Sequence, residues 1–82
     1  MSSDAIFKLI AQHTVEVIPE LEDHAFQRSD SLGNLGANSL DRSEILMMTL
    51  EALDLKVPAV KFHGPKNIGE LADAIHEQRV AV

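Results

Sequence analysis

An all-α fold of three main helices plus one short helix is what this 82-residue chain predicts, and three observations carry it. Apolar residues recur at spacings of three and four in three separate stretches, the period of one helical face. Residues that cap helices and Gly or Pro residues that break them bracket those stretches. No alternating apolar–polar run survives inspection, and Val57 to Phe62 is the one β-leaning stretch.

The first helix is expected from about residue 4 to residue 17. Ser2 and Ser3 precede Asp4, and Ile6, Leu9, Ile10, His13/Thr14 and Val17 then mark one face before Pro19 stops it. Residues 18–38 show no sustained period and read as a long loop, acidic at Glu20, Glu22 and Asp23, with Phe26, Leu32 and Leu35 as its apolar anchors. Asp30-Ser31-Leu32 is expected to close a single helical turn. A loop of that length in a small domain is uncommon unless it is functional or held by its own contacts.

A second helix is expected over about 39–53, with Asn38 as its N-cap. It has two apolar sets. Ile45, Leu46, Thr49, Leu50 and Leu53 suit a core, whereas Leu40, Ser43, Met47 and Met48 lie on another side with Glu44 and Glu51 beside them. A helix apolar on two faces in so small a protein sits centrally or offers one face to a partner. After a turn at Asp54 to Pro58, a short helix is expected over 59–62, ended by Gly64-Pro65. The last helix, about 67–78, starts at Asn67 with Glu70 three residues on, places Ile68, Leu71, Ala72 and Ile75 inward, and is expected to fray from near Gln78 to Val82.

Composition removes several function classes. A single domain of this length buries a modest core, so no deep cleft walled by its own residues is expected. Zero Cys excludes disulfides, thiolate metal sites and thiol nucleophiles, and makes a reducing cytoplasm the expected compartment. Thirteen Asp/Glu against seven Lys/Arg give a net charge of −6, which disfavours nucleic acid and anionic membrane surfaces as partners. The imbalance is uneven: two basic against six acidic side chains in residues 1–38, and five against seven in 39–82. No apolar run approaches the roughly 20 residues of a membrane-spanning helix, and Met1-Ser2-Ser3-Asp4 does not open like a signal peptide.

Most candidate chemistries fail on spacing. His13, His24, His63 and His76 offer no pair three or four apart for a metal. Glu20, Glu22 and Asp23 lack the alternating ligands of a calcium loop, and Gly33 and Gly36 follow no strand as a phosphate-cradling loop requires. Ser31, Ser39 and Ser43 have no placed base, so a hydrolase has little support. Ser39 stands out because it opens the helix with the spare apolar face. A phosphodiester on its oxygen would lie over the positive helix end, although serine at such a position is also an ordinary way to begin a helix.

The run Asp30-Ser31-Leu32-Gly33-Asn34-Leu35-Gly36-Ala37-Asn38-Ser39-Leu40-Asp41-Arg42-Ser43-Glu44-Ile45 resembles the acyl carrier proteins, in which Leu-Gly-x-Asp-Ser-Leu leads into a Glu-bearing second helix. The likeness extends over nearly the whole chain, to Asn67-Ile68-Gly69-Glu70-Leu71-Ala72. It implies a four-helix acyl-carrier-like bundle, one carrier domain over residues 1–82, with 4′-phosphopantetheine added to Ser39 from coenzyme A by a phosphopantetheinyl transferase. It implies no enzymatic activity of its own. Leu40, Asp41, Arg42, Ser43, Glu44, Met47 and Lys61 would then form the partner-docking face. Alternatively, Leu40 and Met47 are plain core or scattered surface residues. Two departures stand out: Asn38 replaces the usual Asp, and Ser43 replaces a small aliphatic residue.

The wording around Ser39 and the run Lys66 to Ala72 resemble more narrowly the free-standing carriers of polyketide β-branching cassettes. That resemblance implies a monomeric malonyl/acetyl donor served by an acyltransferase and a decarboxylating ketosynthase homologue, delivering acetyl to an HMG-CoA synthase-like enzyme. Lys56, Lys61 and Lys66 would help select that partner. The alternatives are a general fatty-acid or polyketide carrier, a peptidyl carrier, and an unmodified helical interaction module.

Overall fold

The computed structural model describes residues 1–81. Three α-helices, α1 (Ser3–Val17), α2 (Ser39–Ala52) and α3 (Ile68–Ala81), are joined through two 3-10 turns at Pro19–Leu21 and Ala59–Phe62. No strand forms among the described residues. The fourth helix expected from the sequence is thus a single 3-10 turn over the expected residues, cut short by the Gly64-Pro65 break. No described helix is long and apolar enough to cross a membrane.

The helix starts follow local chemistry. The Ser2 hydroxyl accepts from the Ala5 N–H at 3.1 Å and caps α1, which begins at Ser3, one residue before the expected start. At α2 the cap is reciprocal: Asn38 accepts from the Asp41 N–H at 2.8 Å, and the Asp41 carboxylate accepts from the Asn38 N–H at 3.2 Å. At α3, Asn67 accepts from the Glu70 N–H at 2.7 Å, while Glu70 reaches back to the Lys66 N–H at 3.1 Å.

Helix ends differ more from expectation. Pro19 terminates α1 at Val17 as expected. The C-terminus of α2 is closed by two backbone bonds, Leu55 N–H to the Leu50 carbonyl at 2.9 Å and Asp54 N–H to the Glu51 carbonyl at 3.0 Å. Asp54 takes the left-handed conformation (φ 51°) that glycine usually supplies in such a motif. α3 does not fray near Gln78 but continues to Ala81; Val82 lies outside the described residues.

The core joins all elements. Ile6 and Ile10 from α1, Ile45, Leu46 and Leu50 from α2, and Ile68, Leu71, Ala72 and Ile75 from α3 are buried with Phe62, Leu32 and Ala37. α1 packs closely against both α2 and α3, whereas the backbones of α2 and α3 stay further apart; the second 3-10 turn lies close to both. The space between α2 and α3 is therefore left to the loop ahead of α2 and to that turn.

The long loop is ordered because the start of α3 holds it. The Arg28 and Asp30 carbonyls accept from the Gly69 and Ile68 N–H groups, both at 2.8 Å, satisfying donors a helix start leaves orphaned. The Arg28 guanidinium donates to Asp4 (2.9 Å), Asp73 (2.8 Å), Ser3 (3.1 Å) and the Gly69 carbonyl (3.2 Å), clamping the loop to α1 and α3. The helical turn expected at Asp30-Ser31-Leu32 forms further on. Leu35 N–H bonds to the Ser31 carbonyl and Ala37 N–H to the Leu32 carbonyl, both at 3.0 Å, because the Asp30 carbonyl is already bound to α3. Gly36, at φ 102°, lets this turn reverse into the N-cap of α2.

Candidate functional site

Ser39 is the first residue of α2, exposed, on the helix side that faces the gap towards α3. The Asp41 N–H goes to Asn38, and the Arg42 N–H to the Asn38 carbonyl at 2.9 Å. The N–H groups of Ser39 and Leu40 have no partner among the described residues. A helix start with free N–H groups and a positive dipole end favours an anion bonded there.

A groove of about 580 Å³ opens beside the serine. Leu32, Leu46, Phe62, Ile68 and Leu71 give it an apolar wall, and Ser31, Ser39, Arg42, Ser43, His63 and Lys66 contribute polar groups. The wider spacing of the α2 and α3 backbones leaves room for this groove.

The expected docking residues divide into two groups. Arg42 and Ser43 line the groove beside the attachment candidate Ser39. Leu40 and Met47 stand 75% and 62% exposed on α2 with exposed Glu44, while Lys61 is exposed on the second 3-10 turn next to Val60, itself 66% exposed. Met48 is half-buried and leaves the exposed set. Asp41 is half-buried and engaged in the capping box.

Charge at the site is mixed. Arg42 Nη1 donates to the Ala37 carbonyl at 3.0 Å, and Nη2 lies 3.4 Å from Ser39 Oγ. A cation three residues after the serine shares its helix face, so this approach was legible from spacing once the helix start was known. His63 and Asn67 were missed, because only the fold brings the end of the second turn and the α3 start to the groove. The described residues form no group of three or more His, Asp or Glu side chains able to hold a metal.

Comparison with known proteins places these features in context. Residues 9–75 match the family model described as phosphopantetheine attachment site. The chain is 45% identical over 78 residues to the polyketide biosynthesis acyl-carrier-protein AcpK of Bacillus subtilis (strain 168), covering 95% of each. It is 34% identical over 56 residues to an acyl carrier protein of Clostridium perfringens (strain 13 / Type A), 68% of this chain and 74% of that one. Among solved structures it resembles a chain of the curacin biosynthetic pathway HMG synthase in complex with acetyl donor-ACP. There the identity is 47% and the TM-score 0.89, over 92% of this chain and 96% of that one.

Proposed function

The chain belongs to the acyl carrier proteins, a family with a phosphopantetheine attachment site that carries rather than catalyses, and on that premise we propose that Ser39 bears its 4′-phosphopantetheine. We further propose that it is the malonyl/acetyl donor carrier for an HMG-CoA synthase-like enzyme in polyketide β-branching. The observation that carries the donor reading is the likeness, over almost the full length of both chains, to a chain of the HMG synthase complex with its acetyl donor carrier.

The residues around Ser39 fit the group. Its hydroxyl is exposed, two helix-start N–H groups beside it are free for phosphodiester oxygens, and a cationic side chain adjoins it. When bound, the group supplies a terminal thiol that holds an acyl unit as a thioester. Leu40, Glu44 and Met47 then offer an apolar patch with a charged flank, joined by Arg42, Ser43 and Lys61, while Asp41 acts chiefly by holding the helix start. Such mixed faces favour fast, salt-sensitive encounter over tight binding, and tethering raises the local concentration of cargo at each partner. The reading implies one carrier domain, monomeric and cytoplasmic, visited by a phosphopantetheinyl transferase, an acyltransferase and a decarboxylating ketosynthase homologue.

Intact mass after incubation with coenzyme A and a broad transferase tests the attachment. One phosphopantetheine increment on the wild type and none on Ser39→Ala is expected, and an increment surviving the substitution removes Ser39 from the role. For the donor reading, the acetyl-loaded protein is mixed with an HMG-CoA synthase-like enzyme and a β-keto acceptor. Acetyl transfer supports it, whereas chain elongation on the arm would assign a general carrier instead.

A further inference from the structure

We infer that Arg42 is a positioning residue for the prosthetic arm: its guanidinium pairs with the phosphodiester on Ser39 and holds the root of the arm at the mouth of the groove. The inference rests on Ser39 as the attachment residue and assigns Arg42 a task separate from partner docking.

Three observations carry it. The guanidinium is already fixed, because Nη1 donates to the Ala37 carbonyl at 3.0 Å while Nη2 lies 3.4 Å from Ser39 Oγ, a long and weak contact. Esterifying that oxygen sets non-bridging phosphate oxygens two bonds beyond it, across the phosphorus, beside a donor that currently has little to bind. The cation also has no acidic partner. The ion pairs of the described residues join His24 to Asp30 and Arg28 to Asp4 and Asp73, while the nearby Asp41 carboxylate is turned to the Asn38 N–H. Finally, a positive charge one turn into a helix opposes the helix dipole, so the site gains most when an anion arrives between them.

The surroundings support the same placement. A Cβ on Gly33 would lie 3.2 Å from Arg42 Nη1, so the absence of a side chain there lets the guanidinium lie across the loop. Asn38 keeps the helix cap while adding no negative charge that would compete for Arg42. Arg42 and Ser39 line the groove together, so pairing them turns the arm towards it. Guanidinium and phosphodiester match as planar donor fork and paired acceptors, which lysine reproduces only as a point charge.

The test compares loaded and unloaded forms of wild type, Arg42→Ala, Arg42→Lys and Arg42→Gln, each confirmed by intact mass. Thermal midpoints and the phosphorus NMR signal of the phosphodiester are recorded at low and high salt. Loss of the Ala37 bond affects both forms of a variant and cancels in the loaded-minus-unloaded difference. For the wild type, loading is expected to raise the midpoint by about 2–5 °C at low salt. The gain should vanish in Arg42→Ala and Arg42→Gln, survive in part in Arg42→Lys, and be accompanied by a displaced phosphorus signal in both neutral variants. The Gln variant answers the question if Arg42→Ala does not fold. Equal loading differences and an unmoved signal across all four proteins would overturn the inference and leave Ser39 attachment intact. A wild type that accepts no arm removes both.

Discussion

At Gly69 a single added methyl group would meet the Arg28 backbone: a Cβ there would lie 2.9 Å from the Arg28 carbonyl oxygen and 2.8 Å from its Cβ. The Gly69 N–H bonds to that same carbonyl, so the loop cannot retreat without releasing the start of α3. Gly69→Ala should therefore destabilise the fold by about 1–3 kcal/mol, measured by urea denaturation, despite the better helix propensity of alanine. A neutral or stabilising result would show that the loop docks more loosely than these distances imply. Asn38 presents the opposite case, a requirement set by side-chain chemistry. Asn38→Ala removes the acceptor for the Asp41 N–H and should cost about 1 kcal/mol, whereas Asn38→Asp keeps it and should fall within about 0.5 kcal/mol of wild type. The Asn38 cap was legible in the sequence because its partner lies three residues away. The role of Gly69 was not, since the residue it must accommodate stands 41 positions earlier.

Between elements, the pairing of α1 with α2 is fixed by a polar contact inside an apolar core. The His13 ring Nδ1 lies 2.8 Å from Thr49 Oγ1, and the Thr49 hydroxyl donates to the Ile45 carbonyl at 2.9 Å, so the ring nitrogen donates to Thr49. Both residues are buried. Thr49→Val matches the shape but strands the ring N–H, which should cost about 1–3 kcal/mol in denaturant-induced unfolding, while Thr49→Ser should recover most of that. If Val and Ser variants proved equally stable, the contact would contribute nothing to the register of the two helices. The sequence placed both residues on core-facing stripes, yet it did not show that they meet. The same limit runs through the elements generally. Helix starts were readable from Ser2, Asn38 and Asn67, and the stop from Pro19, because each acts within one turn. The close of α2 was less legible, since Asp54 occupies a left-handed position for which glycine is the usual signal. The long loop read as irregular because Arg28, which orders it, finds its partners 24 to 45 positions away.

Over the whole molecule, the groove beside Ser39 lies where the loop and the second 3-10 turn complete the wall between the widely spaced α2 and α3. The place of Ser39 at the start of α2 was legible in the sequence; the groove was not, because it depends on how far apart the fold sets two helices distant in the chain. Its loop wall, at Ser31, Leu32 and Gly33, directly follows the segment docked on α3. Two carboxylates guard that docking. The Gln27 N–H first, and then the His24 ring, hold the Asp30 carboxyl below its ordinary pKa. The Ser3 hydroxyl, followed by Arg28, does the same for Asp73. A carboxylate whose folded pKa lies below its unfolded value contributes stability that is complete above the unfolded value, about pH 4, and is lost as pH falls through the folded one. Unfolding stability should therefore hold level from neutrality down to about pH 4 on account of these two groups, then drop at lower pH as the loop loses its clamps. Asp30→Asn and Asp73→Asn should each be less stable than wild type at pH 6 and approach it in acid, giving a flatter profile by thermal melts followed with circular dichroism. Hydrogen exchange should show Ile68 and Gly69, whose N–H groups are held by the loop carbonyls, opening in acid before the buried face of α1. Parallel pH profiles for wild type and both Asn variants would mean that the loop is held by its backbone bonds and apolar anchors alone, with no carboxylate contribution to the wall of the groove.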